Sequence, residues 1–299
     1  MMMTLDTDTL LQFIAPNWKN KGHLNRGILS FPLSKLTLSM QANSCYFGHP
    51  KWAREYLEVV HRDAETQERW IATTGSWENK IVVDIGCAPG NVYAAIGDRA
   101  GTPKLLIGVD ISRGGLEIAQ SLGYIPVLAD GQNLPFISEF ADIVFLNAAL
   151  HHCDDMEAML REAARLVRPG GLIVTDHDVQ RTMWKDNWMA HLIWNARLPL
   201  YRLLGRGGHA TLDEQFWSTT TEAHHRPGEG IAPKFFHDIL EPLGFSVDVY
   251  PHNRTAGAEV LSGDRGRAAW NIRLAQRLCG VNPDSPTGAL VLMCVAQRL

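Results

Sequence analysis

The sequence predicts an α/β fold in which helices cover both faces of a largely parallel sheet. Between residues 78 and 178, five short β-branched or aliphatic runs alternate with stretches of helical periodicity. Strands that alternate with helices pair in parallel through right-handed crossovers. Most of the predicted strands end in a polar residue, and ligands bind beyond the carboxyl ends of the strands in such sheets.

The predicted elements follow one another in a regular order. The five strands are KIVVDIG, KLLIGVDIS, YIPVLAD, ADIVFLNAA and LIVTDHD, and the helices between them include VYAAIGDRAG, GGLEIAQSLG and MEAMLREAARLV. The last of these helices is amphipathic and stops at Pro169-Gly170-Gly171. Near the end of the chain, the helix APKFFHDILEPLG precedes the strands FSVDVYPHN and GALVLMCVAQRL.

The changes of pattern divide the chain into four segments. Residues 1–75 are expected to form a helical N-terminal extension, and residues 76–178 the ligand-binding core. Residues 179–233 break the strand–helix alternation with an apolar helix and a loop-rich stretch. Because this insertion leaves the ligand-binding edge after strand five, it is expected to form a lid. Residues 234–299 return to the core sheet.

Composition limits the classes of function. The 299 residues carry a formal net charge of −4, which disfavours general binding to a nucleic-acid backbone. The five cysteines form no CxxC pair, so neither a disulfide framework nor a zinc ribbon is expected. No apolar run reaches membrane length and the N-terminal stretch lacks the charge of a signal peptide, which predicts a cytoplasmic protein.

The strand ends indicate a nucleoside-containing cofactor. VVDIGCAPGN places Asp84, Gly86 and Gly90 in a D-x-G-x-x-x-G turn between a strand and a helix, where backbone amides can hold an anionic group. A dinucleotide fold prefers G-x-G-x-x-G, so this spacing favours another ligand, and an ordinary tight turn is the alternative. Asp110 can accept hydrogen bonds from a ribose diol, and Asp130 from an adenine amino group. Together they describe S-adenosylmethionine.

The motifs DIGCAPG, GVDIS, LADGQNLPF, ADIVFLNAALHHCDD and REAARLVRPGGLIVTDHD resemble, in order and spacing, those of class I S-adenosylmethionine-dependent methyltransferases. The closest group is the small-molecule type that includes ubiquinone- and menaquinone-pathway enzymes. The resemblance implies a Rossmann-like sheet of seven strands whose last strand is antiparallel. It also implies roles for nine residues. Asp84, Gly86, Ala88 and Gly90 would form the methionine-side loop, Asp110 would bind the ribose, Ile111, Asp130 and Gly131 would contact the adenine, and the Asn147 backbone would lie beneath the sulfonium.

His151 is the candidate general base, because it follows the end of strand four beside the predicted methyl position. The alternative is a histidine that only hydrogen-bonds the loop. In the same stretch, Asp154 or Asp155 is expected to cap the helix that starts at Met156.

Two further polar groups lie near the predicted lid. Asp176, His177 and Asp178 end strand five, while Glu222, His224 and His225 belong to the insertion. They could meet over the acceptor, and hydrogen bonding between insertion and sheet is favoured over a metal site, so no metal is expected. The lid tryptophans Trp184, Trp188 and Trp194 suit a flat apolar acceptor or a buried core.

The leading hypothesis is methyl transfer to an oxygen, nitrogen or carbon atom of an apolar or aromatic small molecule. A nucleic-acid methyltransferase is the first alternative, although strand four ends in NAAL and lacks the N/D-P-P-Y pattern that stacks a flipped base. The second alternative is a non-catalytic binding protein, which would have no need of the glycine turn, Asp110 and Asp130. The expected partner is a small-molecule acceptor, with no nucleic acid and no stable membrane insertion.

Overall fold

The computed structural model describes residues 7–33, 35–205 and 209–299, so residues 1–6, 34 and 206–208 of the predicted segments lie outside the described part. The described residues form a Rossmann-like α/β fold around one nine-stranded sheet. The strands are β1 (His23–Asn25), β2 (Ile28–Ser30), β3 (Ile81–Ile85), β4 (Leu105–Asp110), β5 (Ile125–Leu128), β6 (Ala141–Asn147), β7 (Val167–Val179), β8 (Phe245–His252) and β9 (Val291–Arg298). The helices are α1 (Thr7–Leu11), α2 (Leu38–Gly48), α3 (Pro50–Val59), α4 (Ala64–Thr74), α5 (Asn91–Ala100), α6 (Arg113–Ser121), α7 (Met156–Leu166), α8 (Trp188–Leu203), α9 (Leu212–Thr221), α10 (Pro233–Leu240) and α11 (Trp270–Leu278).

The order of the strands in the sheet is β1-β2-β5-β4-β3-β6-β7-β9-β8. Strands β3 to β7 pair in parallel, whereas β9 runs antiparallel to both β7 and β8. Val291 of β9 pairs with Val179 at the end of β7 and with His252 at the end of β8. The carboxyl ends of β7 and β8 therefore lie at the same edge of the sheet as those of the other parallel strands.

The expected count of seven strands is wrong, because the N-terminal segment adds β1 and β2 to the sheet. These strands are joined by Arg26 and Gly27, whose φ angles of 53° and 78° are both positive, as in a type I′ turn. β2 then pairs in parallel with β5. Each strand has three residues, which is too short for a period-two pattern to emerge from the sequence.

In the described residues, the four helices α1 to α4 of the N-terminal segment precede the core strands. α3 begins at Pro50 and the ring of His49 accepts a hydrogen bond from the Trp52 amide, while Asp63 caps α4 by accepting from the Thr66 amide. These caps satisfy amides that a helix cannot pair internally. α4 buries Arg69 and Trp70 completely against the sheet, so the segment is packed into the core and is not an appendage.

Two apolar clusters hold the helices to the sheet, one on each face. In β3, Val83 and Ile85 belong to one cluster and Val82 to the other, as alternation along a strand requires. Full burial of each such side chain contributes roughly 1.5–3 kcal/mol relative to exposure. With helices packed on both faces, the sheet leaves the carboxyl ends of its parallel strands together at one edge.

The insertion, residues 179–233, contains α8 and α9. Asn187 caps α8 by accepting from the Ala190 amide, and Thr211 caps α9 by accepting from the Glu214 amide. α9 packs against α2 of the N-terminal segment. Among the described residues, no helix has the length and apolar character needed to cross a membrane.

Candidate functional site

An open cleft lies at the carboxyl ends of β3 to β6. Its empty volume is about 710 Å³ with the open mouth included, which is in the range of small-molecule sites. Seven of the nine predicted cofactor residues line it, namely Gly86, Ala88, Asp110, Ile111, Asp130, Gly131 and Asn147. The other two do not line it, since Asp84 is buried within β3 and Gly90 caps the start of α5.

The turn after β3 is held in an unusual backbone conformation. Gly86, Ala88 and Gly90 have φ angles of 73°, 46° and 91°. A Cβ on Gly86 would lie 2.8 Å from the Cβ of Ala149, so only glycine fits. Behind the turn, Asp84 Oδ2 accepts a 2.8 Å hydrogen bond from the Tyr124 hydroxyl, and burial raises the pKa of Asp84 to about 7.

Asp110 stands at the end of β4 with both oxygens oriented by backbone amides. Oδ2 accepts from the Ala88 amide at 2.8 Å, and Oδ1 accepts from the Ser112 amide at 2.7 Å. Each carboxylate oxygen can accept a further hydrogen bond, so the pair is ready for two hydroxyl donors. Burial raises the pKa of Asp110 to about 6, although these amides favour the ionised form.

After β5, Asp130 and Gly131 form the next part of the cleft wall. Asp130 Oδ1 accepts from the Gln132 amide at 2.9 Å and from its side chain at 3.1 Å, which fixes the carboxylate. A Cβ on Gly131 would lie 2.9 Å from Met159 Cε and 3.2 Å from Ile85 Cγ2. A side chain at position 131 would therefore press against these two neighbours, so glycine suits this position.

At the end of β6, Asn147 is fixed by His177 from β7. The two residues are joined by a 2.9 Å hydrogen bond between Asn147 Oδ1 and His177 Nδ1, and the Arg69 guanidinium approaches His177 Nε2 at 3.3 Å. Because the Asn147 oxygen only accepts and Arg69 only donates, Nδ1 carries the proton and the ring is neutral. Burial lowers the pKa of His177 well below its usual value, in agreement with this tautomer.

Strained backbone accompanies these contacts. His177 has a φ angle of 62° at an irregularity of β7, between Thr175 and Asp178, and Ala148 has a φ angle of 50°. Positive φ in residues other than glycine costs free energy and persists where the surroundings impose it, often at functional sites. With Ala88, three such alanine or histidine residues lie along one edge of the sheet.

Asp176 is the centre of a fully buried network behind Asn147. Its Oδ2 accepts from Arg69 Nε at 3.0 Å and from Trp70 Nε1 at 2.8 Å. Its Oδ1 accepts from His252 Nε2 at 2.8 Å and from the His177 amide at 2.6 Å. Although burial alone would raise it, the neighbouring His177, Arg69 and His252 hold the pKa of Asp176 well below its usual value.

His151 lies in a short 3₁₀ turn beside β7. Its Nδ1 is 2.8 Å from Asp178 Oδ1, which also accepts from the His151 amide at 3.1 Å. Burial lowers the pKa of His151 to about 3 and raises that of Asp178 to about 7. The next residue, His152, lines the cleft and donates from Nδ1 to the Thr221 carbonyl of α9 at 2.7 Å. The expected helix cap is confirmed, since Asp155 accepts from the Ala158 amide.

The insertion contacts this turn directly. His224 donates from its amide to the His151 carbonyl at 3.2 Å and from Nε2 to the Cys153 carbonyl at 3.1 Å. The His225 ring centre is 5.4 Å from that of His151, and Glu222 lies 3.2 Å from His225 Nδ1. The insertion group is therefore connected to Asp178 through His151. No set of three His, Cys, Asp or Glu side chains in the described residues has the arrangement of a metal site.

Several residues that shape this region gave no signal in the sequence. Met40, Asn43, Phe47 and Tyr56 of α2 and α3 line the cleft, although they are distant in the chain from every motif. His252 and Arg254 were missed for another reason. They lie at or just beyond the carboxyl end of β8, which is at the ligand-binding edge. The rule that ligands bind beyond the carboxyl ends of the strands was applied only to the first five strands, although it also points to these two residues.

Comparison with known proteins gives the family of the core. Residues 83–175 match the family model described as a methyltransferase domain. This part of the chain is a class I S-adenosylmethionine-dependent methyltransferase domain. The motifs from which the resemblance was inferred begin near Asp84 and end near Asp178, so the match covers nearly the same residues.

Individual relatives agree with this domain assignment. The malonyl-[acyl-carrier protein] O-methyltransferase of Yersinia pestis is 29% identical over 48% of this chain and 52% of its own length. The ubiquinone biosynthesis O-methyltransferase of Thiobacillus denitrificans is 31% identical over 39% of this chain and 52% of its own. The chain thus spans about half the length of these relatives. The solved plantazolicin methyltransferase BamL shares the fold, with a TM-score of 0.53 at 18% identity over 87% of this chain and 95% of that one.

Proposed function

We propose that the protein transfers the methyl group of S-adenosylmethionine to an oxygen, nitrogen or carbon atom of an apolar or aromatic small molecule. The observation that carries this proposal is the cleft of the methyltransferase domain, where Asp110, Asp130 and the glycine turn line one continuous wall. A protein that kept the fold only as a scaffold would have no need of this combination.

The residues present fit S-adenosylmethionine. Asp110 offers two oriented oxygens to a ribose diol, and Asp130 has an oxygen free of the Gln132 contacts for an exocyclic amine. Asp84 Oδ1 is buried and has no hydrogen-bond partner among the described residues, so a cationic amine nearby would be favoured. When bound, the cofactor supplies a methyl group on an activated sulfonium.

We further propose that the insertion, residues 179–233, is a lid over the acceptor. Its contacts with the His151 turn and with α2 support this role, because they close the space beside the cleft. Exclusion of water and alignment of the acceptor are the main contributions that a protein can make to an in-line displacement. We expect Trp184, Trp188 and Trp194 to contribute apolar surface to such a lid. The ring centre of Trp194 is 5.3 Å from that of His225, whereas Trp188 is exposed on α8.

His151 is proposed as the base for acceptors that lose a proton. Asp178 fixes its ring through Nδ1, which leaves Nε2 as the nitrogen that can accept a proton. Because burial lowers its pKa to about 3, His151 is neutral at physiological pH but only weakly basic. It therefore suits acceptors that are already acidic.

Calorimetric titration of the full chain with S-adenosylmethionine and S-adenosylhomocysteine tests the cofactor assignment. We expect both to bind, and absence of binding by both would refute the proposal. An acceptor screen then measures S-adenosylhomocysteine formation with hydroxy-, amino- and carboxy-substituted aromatic and aliphatic compounds. Double-stranded and single-stranded DNA and RNA belong in the same screen, and methylation of nucleic acid alone would favour that class of enzyme.

A further inference from the structure

Arg254 is held at the ligand-binding edge by its backbone. It follows the end of β8 by two residues and has a φ angle of 70°. Its amide donates to His252 Nδ1 at 3.1 Å, and His252 in turn donates from Nε2 to Asp176 at 2.8 Å. The position of Arg254 is thus coupled through neutral His252 to the buried carboxylate behind Asn147.

Two charged groups near Arg254 have partners. Asp176 is paired with Arg69 at 3.0 Å, and Glu222 lies 3.7 Å from Arg197 and 3.2 Å from His225. The guanidinium of Arg254, in contrast, forms no hydrogen bond or ion pair with any side chain in the described part of the chain. Because this guanidinium is exposed and has no such partner, it is available to a ligand of opposite charge through charge-assisted hydrogen bonds.

The charged groups that act on Arg254 come from several elements. Asp176 of β7, Tyr56 of α3 and Glu222 of the insertion all lie near enough to influence its pKa, which burial lowers. Arg254 in turn acts on His61 and His151. The residue is nevertheless exposed. The Arg254 side chain is therefore accessible to a ligand, and Tyr56, one of the groups that influence it, also lines the cleft.

We propose that Arg254 binds a carboxylate of the methyl acceptor, so that the substrate class is an organic acid with an apolar body. This inference rests on the proposed function, since it places the acid beside the cofactor cleft. A guanidinium presents parallel N–H donors that match a carboxylate, and it remains charged at all physiological pH values. Tyr56, which lines the cleft and whose ring centre is 6.4 Å from that of His61, supplies aromatic surface for the body of the acid.

The test is calorimetry on protein saturated with S-adenosylhomocysteine. The probes are benzoate, cinnamate and octanoate, each compared with its uncharged amide, and phenyl phosphate as a second oxyanion. We expect at least one carboxylate to bind about tenfold or more tightly than its amide, as a charge-assisted hydrogen bond requires. Equal binding of acids and amides, or no binding of any acid, would overturn the proposal, and a preference for phenyl phosphate alone would replace the carboxylate by a phosphate.

Two variants locate the effect. Arg254→Gln should abolish the preference for the acid while affinity for S-adenosylhomocysteine stays unchanged, and Arg254→Lys should retain part of it. Arg267→Gln, which removes an exposed arginine elsewhere in the same C-terminal region, is the matched control and should bind as the wild type does. A preference that survives in Arg254→Gln would contradict the assignment. Failure of the cofactor to bind the wild type would instead contradict the proposed function.

Discussion

The two halves of the ligand-binding edge are built in different ways. In the β3–β5 half, which comprises the ends of these strands and their loops, Asp110 and Asp130 are oriented by amides of neighbouring turns. In the β6–β8 half, which comprises the ends of β6 to β8 with α3, α4 and the insertion, side chains hold one another. Asp176, for example, is bound by Arg69 and His252, which are 107 and 76 residues away in the chain.

This difference separates a site made by backbone from a site made by side chains. The β3–β5 half needs little more than strand–turn–helix units of the correct sequence, so many proteins can share it. The β6–β8 half depends on the meeting of α4, β7 and β8, and a single substitution there removes support from several residues at once. The family match to residues 83–175 covers all of the first half but omits Arg69, His252 and the insertion.

The largest expected effect concerns the buried pair in the β6–β8 half. Arg69→Met should lower the free energy of unfolding by about 3–5 kcal/mol, because it leaves the buried Asp176 carboxylate without its cation. Urea denaturation measures the change. Arg161→Met is the control, since Arg161 forms an exposed pair with Glu157 and should cost less than about 0.5 kcal/mol. Equal losses of unfolding free energy in the two variants would show that the β6–β8 half does not depend on this buried pair.

The next effect concerns chemistry in the same half. His151→Gln should lower kcat by about 100-fold with the acceptor found in the screen. This is the smallest loss expected when a general base is removed, because the depressed pKa of His151 makes it a weak base. Affinity for S-adenosylmethionine should stay within about twofold, because His151 does not line the cofactor cleft. The control is His191→Gln, a half-exposed histidine on α8. An unchanged kcat would leave His151 a structural role only.

In the β3–β5 half, Asp110→Asn should weaken binding of S-adenosylmethionine by about 10- to 100-fold, because a charged acceptor of hydrogen bonds becomes neutral. The free energy of unfolding should fall by about 1–3 kcal/mol, because one of the two backbone amides loses its acceptor. Asp98→Asn, on the exposed face of α5, is the matched control for calorimetry. Binding equal to the wild type would show that ribose is held elsewhere.

The smallest effect is a dependence on pH. Burial raises the pKa of Asp110 to about 6, so its carboxylate begins to protonate below that value rather than near 4. If the ionised form binds the ribose, affinity for S-adenosylmethionine should fall by about tenfold between pH 7 and pH 5. Asp84 titrates in the same pH region, so the part of the pH dependence that is absent in Asp110→Asn is due to Asp110. A profile identical in the two proteins would exclude this contribution.

How much could be predicted from the sequence varied with the range of the interactions. The alternation from KIVVDIG to LIVTDHD predicted the α/β class, and seven of nine proposed cofactor residues line the cleft. The three-residue strands β1 and β2 carry no readable period, and their pairing with β5 gave the sheet nine strands. LHHCDD predicted the Asp155 cap, but it did not reveal that His152 would line the cleft while His151 paired with Asp178.

The sequence by itself determined the glycine turn, the acids at the strand ends and the edge at which they meet, because these follow from local backbone geometry and from parallel pairing. Only the tertiary structure decided which distant side chains close the site. Arg69 reaches Asp176, His177 fixes Asn147, and the Arg254 guanidinium has no side-chain partner among the described residues. The physical reason is that burial makes the pairing of polar groups a property of the whole packed molecule, which no single stretch of the chain encodes.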